Sequence, residues 1–247
     1  MATIATAAEQ PGRPEAVAPV WHTVVFAAIL FASATLQAFR VVPFRLHSRM
    51  QFYLFTMVTE YLLVVYVWLF GLRPRGKTPR EIIGGKWDST AAVLLDTGVS
   101  LLFGMIVLFV LGALRFILGN NPEALRAIKL LSPHSALEMI LWVMLSATAG
   151  FCEEFLFRGY LQRQFLAATG QIGIAVALQA VVFGAGHLYE GWKGALAIVA
   201  YGAMFGGLSV LRKSLRPGML QHAGYDGLVG FGAYLLNKYD RWPAGLF

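Results

Sequence analysis

The sequence is poor in cysteine and in charge. Cys152 is the single cysteine among 247 residues, which excludes an intrachain disulfide. Only 13% of the residues are Asp, Glu, Lys or Arg, about half the share found in soluble domains, while 57% are hydrophobic. This composition argues against a soluble globular domain and is typical of a polytopic membrane protein.

Internal repeats, low-complexity tracts and long polar segments are also missing. We therefore predict a single integral membrane domain over 21–247. Residues 1–20 hold three prolines and no apolar run, as a disordered tail does. The apolar run 24–32, followed by small residues, also resembles a signal peptide. The favoured interpretation is a retained first membrane helix, with cleavage left open.

What the chain does contain is a series of long apolar runs. A helix needs about 20 apolar residues to cross a bilayer. Counting in that unit predicts an all-α, polytopic transmembrane bundle of about seven helices, with a range of six to eight. The predicted spans are 21–39, 52–72, 91–118, 136–165, 172–188, 195–211 and 219–236.

The net charge is +7, and the basic residues lie largely in short connections between these runs. Their placement indicates membrane orientation and not nucleic-acid binding. The connection 73–86 holds five basic residues and favours a cytoplasmic N-terminus. The connection 40–49 favours the opposite orientation. The expected location is the cell membrane.

Three apolar segments carry pairs of residues four positions apart, a spacing that places both side chains on one helix face. The pairs are Glu154 with Arg158, Phe183 with His187, and His222 with Asp226. Charged groups are costly in hydrocarbon, so such a cluster is expected to face a protein interior or a wet cavity. Together the pairs predict one buried site built from three helices.

These side chains suit hydrolysis of an amide bond. Glu153 could act as general base on a water, and His187 could share that water or carry its proton. His222 could stabilise an oxyanion, or be held in one tautomer by Asp226. Arg158 would pair with Glu154 and leave the neighbouring glutamate free for chemistry.

The predicted spans pose a geometric difficulty for this site. His187 falls near the end of the fifth span and His222 near the start of the seventh, at opposite faces of the membrane. They can meet only if these helices tilt, run past the core of the membrane or break. Glycines such as Gly184 and Gly186 make a break plausible.

The three motifs resemble the CAAX-protease and bacteriocin-processing (CPBP, Abi-type) family of intramembrane endopeptidases. They are Glu-Glu-x-x-x-Arg at 153–158, Phe-x-x-x-His at 183–187 and His-x-x-x-Asp at 222–226. The resemblance covers about 136–230 and implies a peptide or lipidated (prenyl-CAAX-like) substrate. It implies that Glu153 and His187 activate water and that His222 and Asp226 form the oxyanion side. The supporting residues that it implies are Glu154, Arg158 and Phe183.

Asp226 departs from the asparagine described in many members of that family. An ionised carboxylate cannot donate a hydrogen bond to an oxyanion. Asp226 would then be protonated, orient His222 or belong to a metal site. Glu153, His187 and His222 match the three ligands of a catalytic zinc, although no local His-Glu-x-x-His motif supports a metal. The cofactor is therefore either none or a divalent metal such as zinc.

Other interpretations stay open at this point. The same carboxylates and histidines could form the relay of a proton-coupled transporter, and the chain could be a catalytically silent scaffold. Cys152 as a nucleophile is disfavoured because a thiol in apolar surroundings is inert. Glu60 and Asp96 are predicted to lie at interfaces or to pair with a loop arginine, with extension of a polar cavity as the alternative. Gly202 and Gly206 predict a close-packing helix face.

Overall fold

The computed structural model describes residues 14–38 and 48–242, and all regular structure in these ranges is helical. The predicted all-α class is therefore confirmed. The α-helices are α1 Val20–Ala38, α2 Arg49–Tyr66, α3 Pro79–Ile83, α4 Thr90–Leu118, α5 Pro122–Leu131, α6 Ala136–Glu153, α7 Gln162–Thr169, α8 Ile172–Ala185, α9 Gly191–Arg212 and α10 Arg216–Lys238. π-Helical segments continue α2 at Val67–Leu72 and α6 at Glu154–Leu161.

Among the described residues, four helical stretches are long and apolar enough to cross a membrane, and they support an integral membrane protein. They are Arg49–Arg75, Thr90–Leu118, Ala136–Thr169 and Leu188–Arg212. Two shorter apolar helices cover Val20–Thr35 and Ile172–Ala185. The predicted number of seven is reached only when these two helices and the 23-residue α10 are counted as well.

Short polar residues at the helix starts set the bounds of the long spans. The Ser89 hydroxyl accepts a hydrogen bond from the Ala92 amide and begins α4, and Ser135 does the same for Glu138 at the start of α6. Such caps satisfy backbone donors that have no partner inside the helix. The first residues of α4 and α6 thus follow from local chemistry as well as from hydropathy.

The N-terminal region is anchored to the second half of the helical stretch Ala136–Thr169. Residues 1–13 of the predicted tail lie outside the described residues. Ala18 is buried, and its backbone amide donates to Gln164 Oε1 at 3.1 Å. His22 in α1 lies 2.7 Å from the hydroxyl of Tyr160 through Nδ1. These contacts hold α1 against the segment that follows the two glutamates.

Close contact between α6 and α10 positions the candidate site. A Cβ built on Gly150 would lie 2.7 Å from both the Ala223 amide nitrogen and the Met219 carbonyl oxygen. Trp142 Nε1 donates to the Asp226 carbonyl at 2.9 Å one turn further along. The absence of a side chain at Gly150 therefore lets the glutamates at the end of α6 approach α10.

The helix face predicted at Gly202 and Gly206 also packs closely. A Cβ on Gly206 would lie 2.7 Å from the side chains of Gln162 and Gln179, and one on Gly202 would lie 3.2 Å from the Cα of Ala180. The two glycines let α9 contact α8 and the start of α7 within one chain.

We expect Gly150→Ala to lower the thermal stability of the protein, because the added methyl group would force α6 and α10 apart. Overpacking of this kind costs about 1–3 kcal/mol. Gly224→Ala in α10 is the matched control, since no atom lies within 4 Å of its added Cβ. Thermal unfolding in detergent is the measurement, and equal midpoints for the two variants would contradict this account of the contact.

Candidate active site

The glutamate pair lies where α6 becomes π-helical. Glu153 is the last residue of α6, and Glu154 begins the π-helical segment Glu154–Leu161, whose eight residues are all buried. Local π-helical turns are frequent at functional sites because they redirect side chains without ending the helix. The two neighbouring carboxylates therefore have different surroundings: the Glu153 side chain is 21% exposed and that of Glu154 is 1% exposed.

Glu154 forms the ion pair that its spacing to Arg158 predicts. Arg158 Nη1 lies 3.2 Å from Glu154 Oε1, and the arginine side chain is fully buried. Its guanidinium carbon lies 4.5 Å from the ring centroid of Phe183 and 5.4 Å from that of Phe205. The aromatic rings and the carboxylate compensate for burial of the cation.

Three carboxylates lie close to the ring nitrogens of His222. Its Nδ1 donates to Glu154 Oε1 at 3.0 Å, while its Nε2 lies 3.5 Å from Glu153 Oε2 and 3.6 Å from Asp226 Oδ2. Glu154 is thus the group that fixes the imidazole orientation, a role that the sequence offered to Asp226 as one alternative. The Nε2 edge of the imidazole therefore faces two carboxylates.

His187 follows the end of α8 and is half-buried. Its Nδ1 lies 3.0 Å from the Phe183 carbonyl oxygen, which can only accept, so Nδ1 carries the proton and Nε2 is left as an acceptor. The Phe183 ring lies 4.9 Å from the His187 ring and 6.3 Å from the His222 ring, measured between centroids.

The early end of α8 resolves the difficulty with opposite membrane faces. The helix stops at Ala185 and not at the predicted position 188, and a short 3₁₀ turn, Leu188–Glu190, leads into α9. His187 therefore lies in the break between two helices, against the same phenylalanine as His222. Phe183 thus contacts both histidines, which come from different parts of the chain. Its role is to pack between them and not to take part in chemistry.

The residues do not form a recognisable metal centre. In the ranges 14–38 and 48–242, no three or more His, Cys, Asp or Glu side chains are grouped so that they could hold a metal ion. Glu153, His187 and His222, the ligand set suggested from the sequence, do not meet this requirement. We therefore derive no catalytic step through a metal.

Glu60 is a further carboxylate of this region, and its contacts favour the alternative that it extends the polar cavity over pairing with a loop arginine. Its Oε2 atom is buried without a hydrogen-bond partner, and no described arginine lies within salt-bridge distance. It interacts electrostatically with Glu153, His222 and Asp226. A single charged residue inside an otherwise apolar span is the sequence signal for this alternative.

Asp96, in contrast, pairs with arginine as predicted. Its carboxylate lies 2.9 Å from Arg216 Nε and 3.4 Å from Arg212 Nη2, and it accepts a hydrogen bond from Trp87 Nε1. Arg216 also donates to the Lys86 carbonyl oxygen. This network joins α4 to the start of α10. It is separate from the site residues, here called the carboxylate–histidine cluster: Glu60, Glu153, Glu154, Arg158, His187, His222 and Asp226.

Tyr201 is a site residue that no motif indicated. Its ring lies 5.4 Å from that of His222, and its hydroxyl is buried without a hydrogen-bond partner. A buried, unsatisfied hydroxyl is rare in native structures and requires an explanation. Nothing in the local sequence separates Tyr201 from an ordinary packing tyrosine, because its position depends on how α9 packs against α10.

The fold and this cluster define a class: a helical integral membrane protein with a buried site of carboxylates, histidines and one arginine. Residues 135–228 match the family model described as Type II CAAX prenyl endopeptidase Rce1-like. The match spans a little over a third of the chain and includes all the predicted site residues. The resemblance drawn from the motifs is thereby confirmed, and at family level it supports a CAAX-type intramembrane endopeptidase. Comparisons with curated proteins and with solved structures gave no match.

Proposed function

We propose that the protein is a glutamate-dependent endopeptidase that cleaves a prenylated or otherwise lipidated peptide at the membrane. The observation that carries this proposal is the difference in partners and exposure between the two glutamates. Glu154 is buried and bound to both Arg158 and His222, whereas Glu153 is partly exposed and faces His222 Nε2. A positioned, partly accessible carboxylate beside a fixed imidazole is suited to deprotonating a water molecule.

In this proposal Glu153 removes a proton from a water held with His187, whose Nε2 is free to accept. The water oxygen forms a bond to the carbonyl carbon of the substrate. The C–N bond then breaks, and the proton taken from water passes to the leaving amine. Atoms and charge balance without a further reactant.

The developing oxyanion requires hydrogen-bond donors, and carboxylates supply none when ionised. We propose that His222 and Asp226 form this side of the site, with a proton on His222 Nε2 or on the Asp226 carboxyl group as the donor. The Tyr201 hydroxyl is a second donor in the same region without a partner of its own. Glu154 and Arg158 position the imidazole through the Nδ1 contact.

We also propose a location for the protein and a route for its substrate. Residues 21–247 form one membrane domain in the cell membrane, with the N-terminus in the cytoplasm, as the basic connection 73–86 favours. The substrate reaches the site laterally or from the membrane surface. The match to the CAAX prenyl endopeptidase family supports a prenyl group on the substrate.

The test of this function is cleavage of a farnesylated peptide ending in a CAAX sequence, labelled with a fluorophore and a quencher, by the purified full chain in detergent. We expect cleavage of the farnesylated peptide and at least tenfold slower cleavage of the same peptide without the lipid. Equal rates on both peptides would contradict the lipid requirement, and no cleavage of either would contradict the proposed substrate class.

We expect Tyr201→Phe to slow cleavage by roughly tenfold to a hundredfold if its hydroxyl contributes to the oxyanion side, somewhat less than the loss seen on removing a principal oxyanion donor. The phenyl ring preserves the packing against Phe205 and His222, so thermal stability should change little. The kcat at saturating peptide is the measurement. An unchanged kcat would assign Tyr201 to packing alone.

A further inference from the structure

A cavity separate from the carboxylate–histidine cluster opens between α7, α8 and the α9–α10 connection. Its volume is about 270 Å³. This is slightly below the roughly 300–1,000 Å³ of pockets that enclose drug-sized ligands, so the cavity fits a small polar group and not a complete lipid. Its lining residues include Arg158, Arg163, Lys213, Gln162, Ser209 and Ser214.

The charges that line the cavity are all positive. Arg158 is compensated by Glu154, but Arg163 and Lys213 leave two cations, and no aspartate or glutamate lines the cavity. The carboxylate that Arg163 interacts with is Glu81, an exposed residue that does not line the cavity. The cavity therefore offers an anion two positive charges without a competing carboxylate in its wall.

The N-terminus of α8 adds to this positive potential. Ile172, the first residue of α8, lines the cavity, and no side chain caps the free backbone amides at this end. The amides of a helix N-terminus and the helix dipole favour an anion. The side chains of Arg163 and Lys213 and the N-terminus of the 14-residue helix α8 thus all place positive charge at this cavity.

The edge of the cavity is apolar. Ile172 and Val210 line it and are exposed, and both belong to apolar helices. A free inorganic anion gains nothing from an apolar edge, whereas a lipid can place its chains there and its headgroup inside. Basic pockets between transmembrane helices bind anionic lipid headgroups in this way.

We propose that this cavity binds the phosphate headgroup of an anionic membrane phospholipid. The proposal is independent of the proteolytic function, because no group of the carboxylate–histidine cluster other than Arg158 lines the cavity. The same side of the protein carries the basic connection 73–86, since the Leu215 amide donates to the Ile83 carbonyl at 2.8 Å. This is the side that the basic residues predict to be cytoplasmic, where anionic lipids are enriched.

The experiment measures lipid binding to the purified full chain by native mass spectrometry. Phosphatidylglycerol is titrated against phosphatidylcholine with the same acyl chains. We expect the wild type to bind phosphatidylglycerol about tenfold more tightly, a preference within what two basic side chains contribute at a membrane surface. The double variant Arg163→Gln/Lys213→Asn should lose this preference; asparagine suits the positive φ of 51° at position 213.

Two further variants make the result specific. Arg80→Gln/Lys86→Gln removes the same charge from exposed positions outside the cavity and should keep the preference. Val210→Trp keeps every charge but fills the edge of the cavity, and should reduce the preference even if the first double variant does not fold. An equal loss in the exposed control, or an unchanged preference in Val210→Trp, would overturn the proposal.

Inorganic phosphate distinguishes the two sources of the anion. We expect millimolar phosphate to leave the bound phosphatidylglycerol in place, because it cannot use the apolar edge. Displacement of the lipid by phosphate alone would overturn the lipid assignment in favour of a free anion. Glu153→Gln should bind the lipid as the wild type does, so a failed protease assay and a failed lipid site give different results.

Discussion

Glu153→Gln is expected to reduce peptide cleavage by a factor of a thousand or more while the protein folds and inserts normally. The amide keeps the size of the side chain and removes the base that takes the proton from water. General-base catalysis alone contributes about 10²–10⁴-fold, and loss of the positioned water adds to this. The measurement is the single-turnover rate on the farnesylated peptide.

The matched control is Asp88→Asn, the same chemical change at an exposed position outside the candidate spans. It should cleave at the wild-type rate. Thermal unfolding of both variants separates loss of chemistry from loss of folding. If Glu153→Gln kept more than a tenth of the wild-type rate, Glu153 would not be the base.

Arg158→Met is expected to destabilise the protein strongly. The guanidinium is fully buried beside Glu154, so its removal leaves a buried carboxylate without its cation. Breaking one partner of a buried ion pair costs about 3–5 kcal/mol. For a chain of this size, that corresponds to a fall in the unfolding midpoint of roughly 6–20 °C.

A double variant shows whether the effect arises from the uncompensated charge. Glu154→Gln/Arg158→Met removes both charges and should recover most of the lost stability. It should not recover cleavage, because the His222 imidazole loses the carboxylate that accepts from Nδ1. Arg115→Met in α4 removes an exposed arginine and should leave the unfolding midpoint nearly unchanged. A double variant as unstable as Arg158→Met would contradict the ion-pair account.

The helices themselves could be predicted well from apolar run length. The predicted span 91–118 compares with Thr90–Leu118 in the structure, since a run that must cross hydrocarbon has only one regular structure that satisfies its backbone. The end of α8 was misplaced by three residues because glycines near Ala185 weaken the helix without changing its hydropathy. Hydropathy also does not distinguish an α-helix from the π-helical continuation at Glu154.

The candidate site could be predicted where residues of one helix form a pair. The spacing of Glu154 and Arg158 fixes their contact within one helical turn. The Glu154 contact to His222 depends instead on the close approach of α6 and α10 at Gly150, which no local spacing reveals. Tyr201 could not be predicted for the same reason. What distinguishes it is a buried hydroxyl without a hydrogen-bond partner, which is visible only in the folded chain.

The most direct test of the proposed function compares protein N- and C-termini in membranes that contain the wild-type chain or Glu153→Gln at matched expression. The account predicts new termini with the wild type alone, at sites next to a lipidated cysteine. These termini would identify the substrate class together with the activity. Identical termini in both membranes, at good coverage, would contradict proteolysis, and proton flux in vesicles would then distinguish a transporter from a silent scaffold.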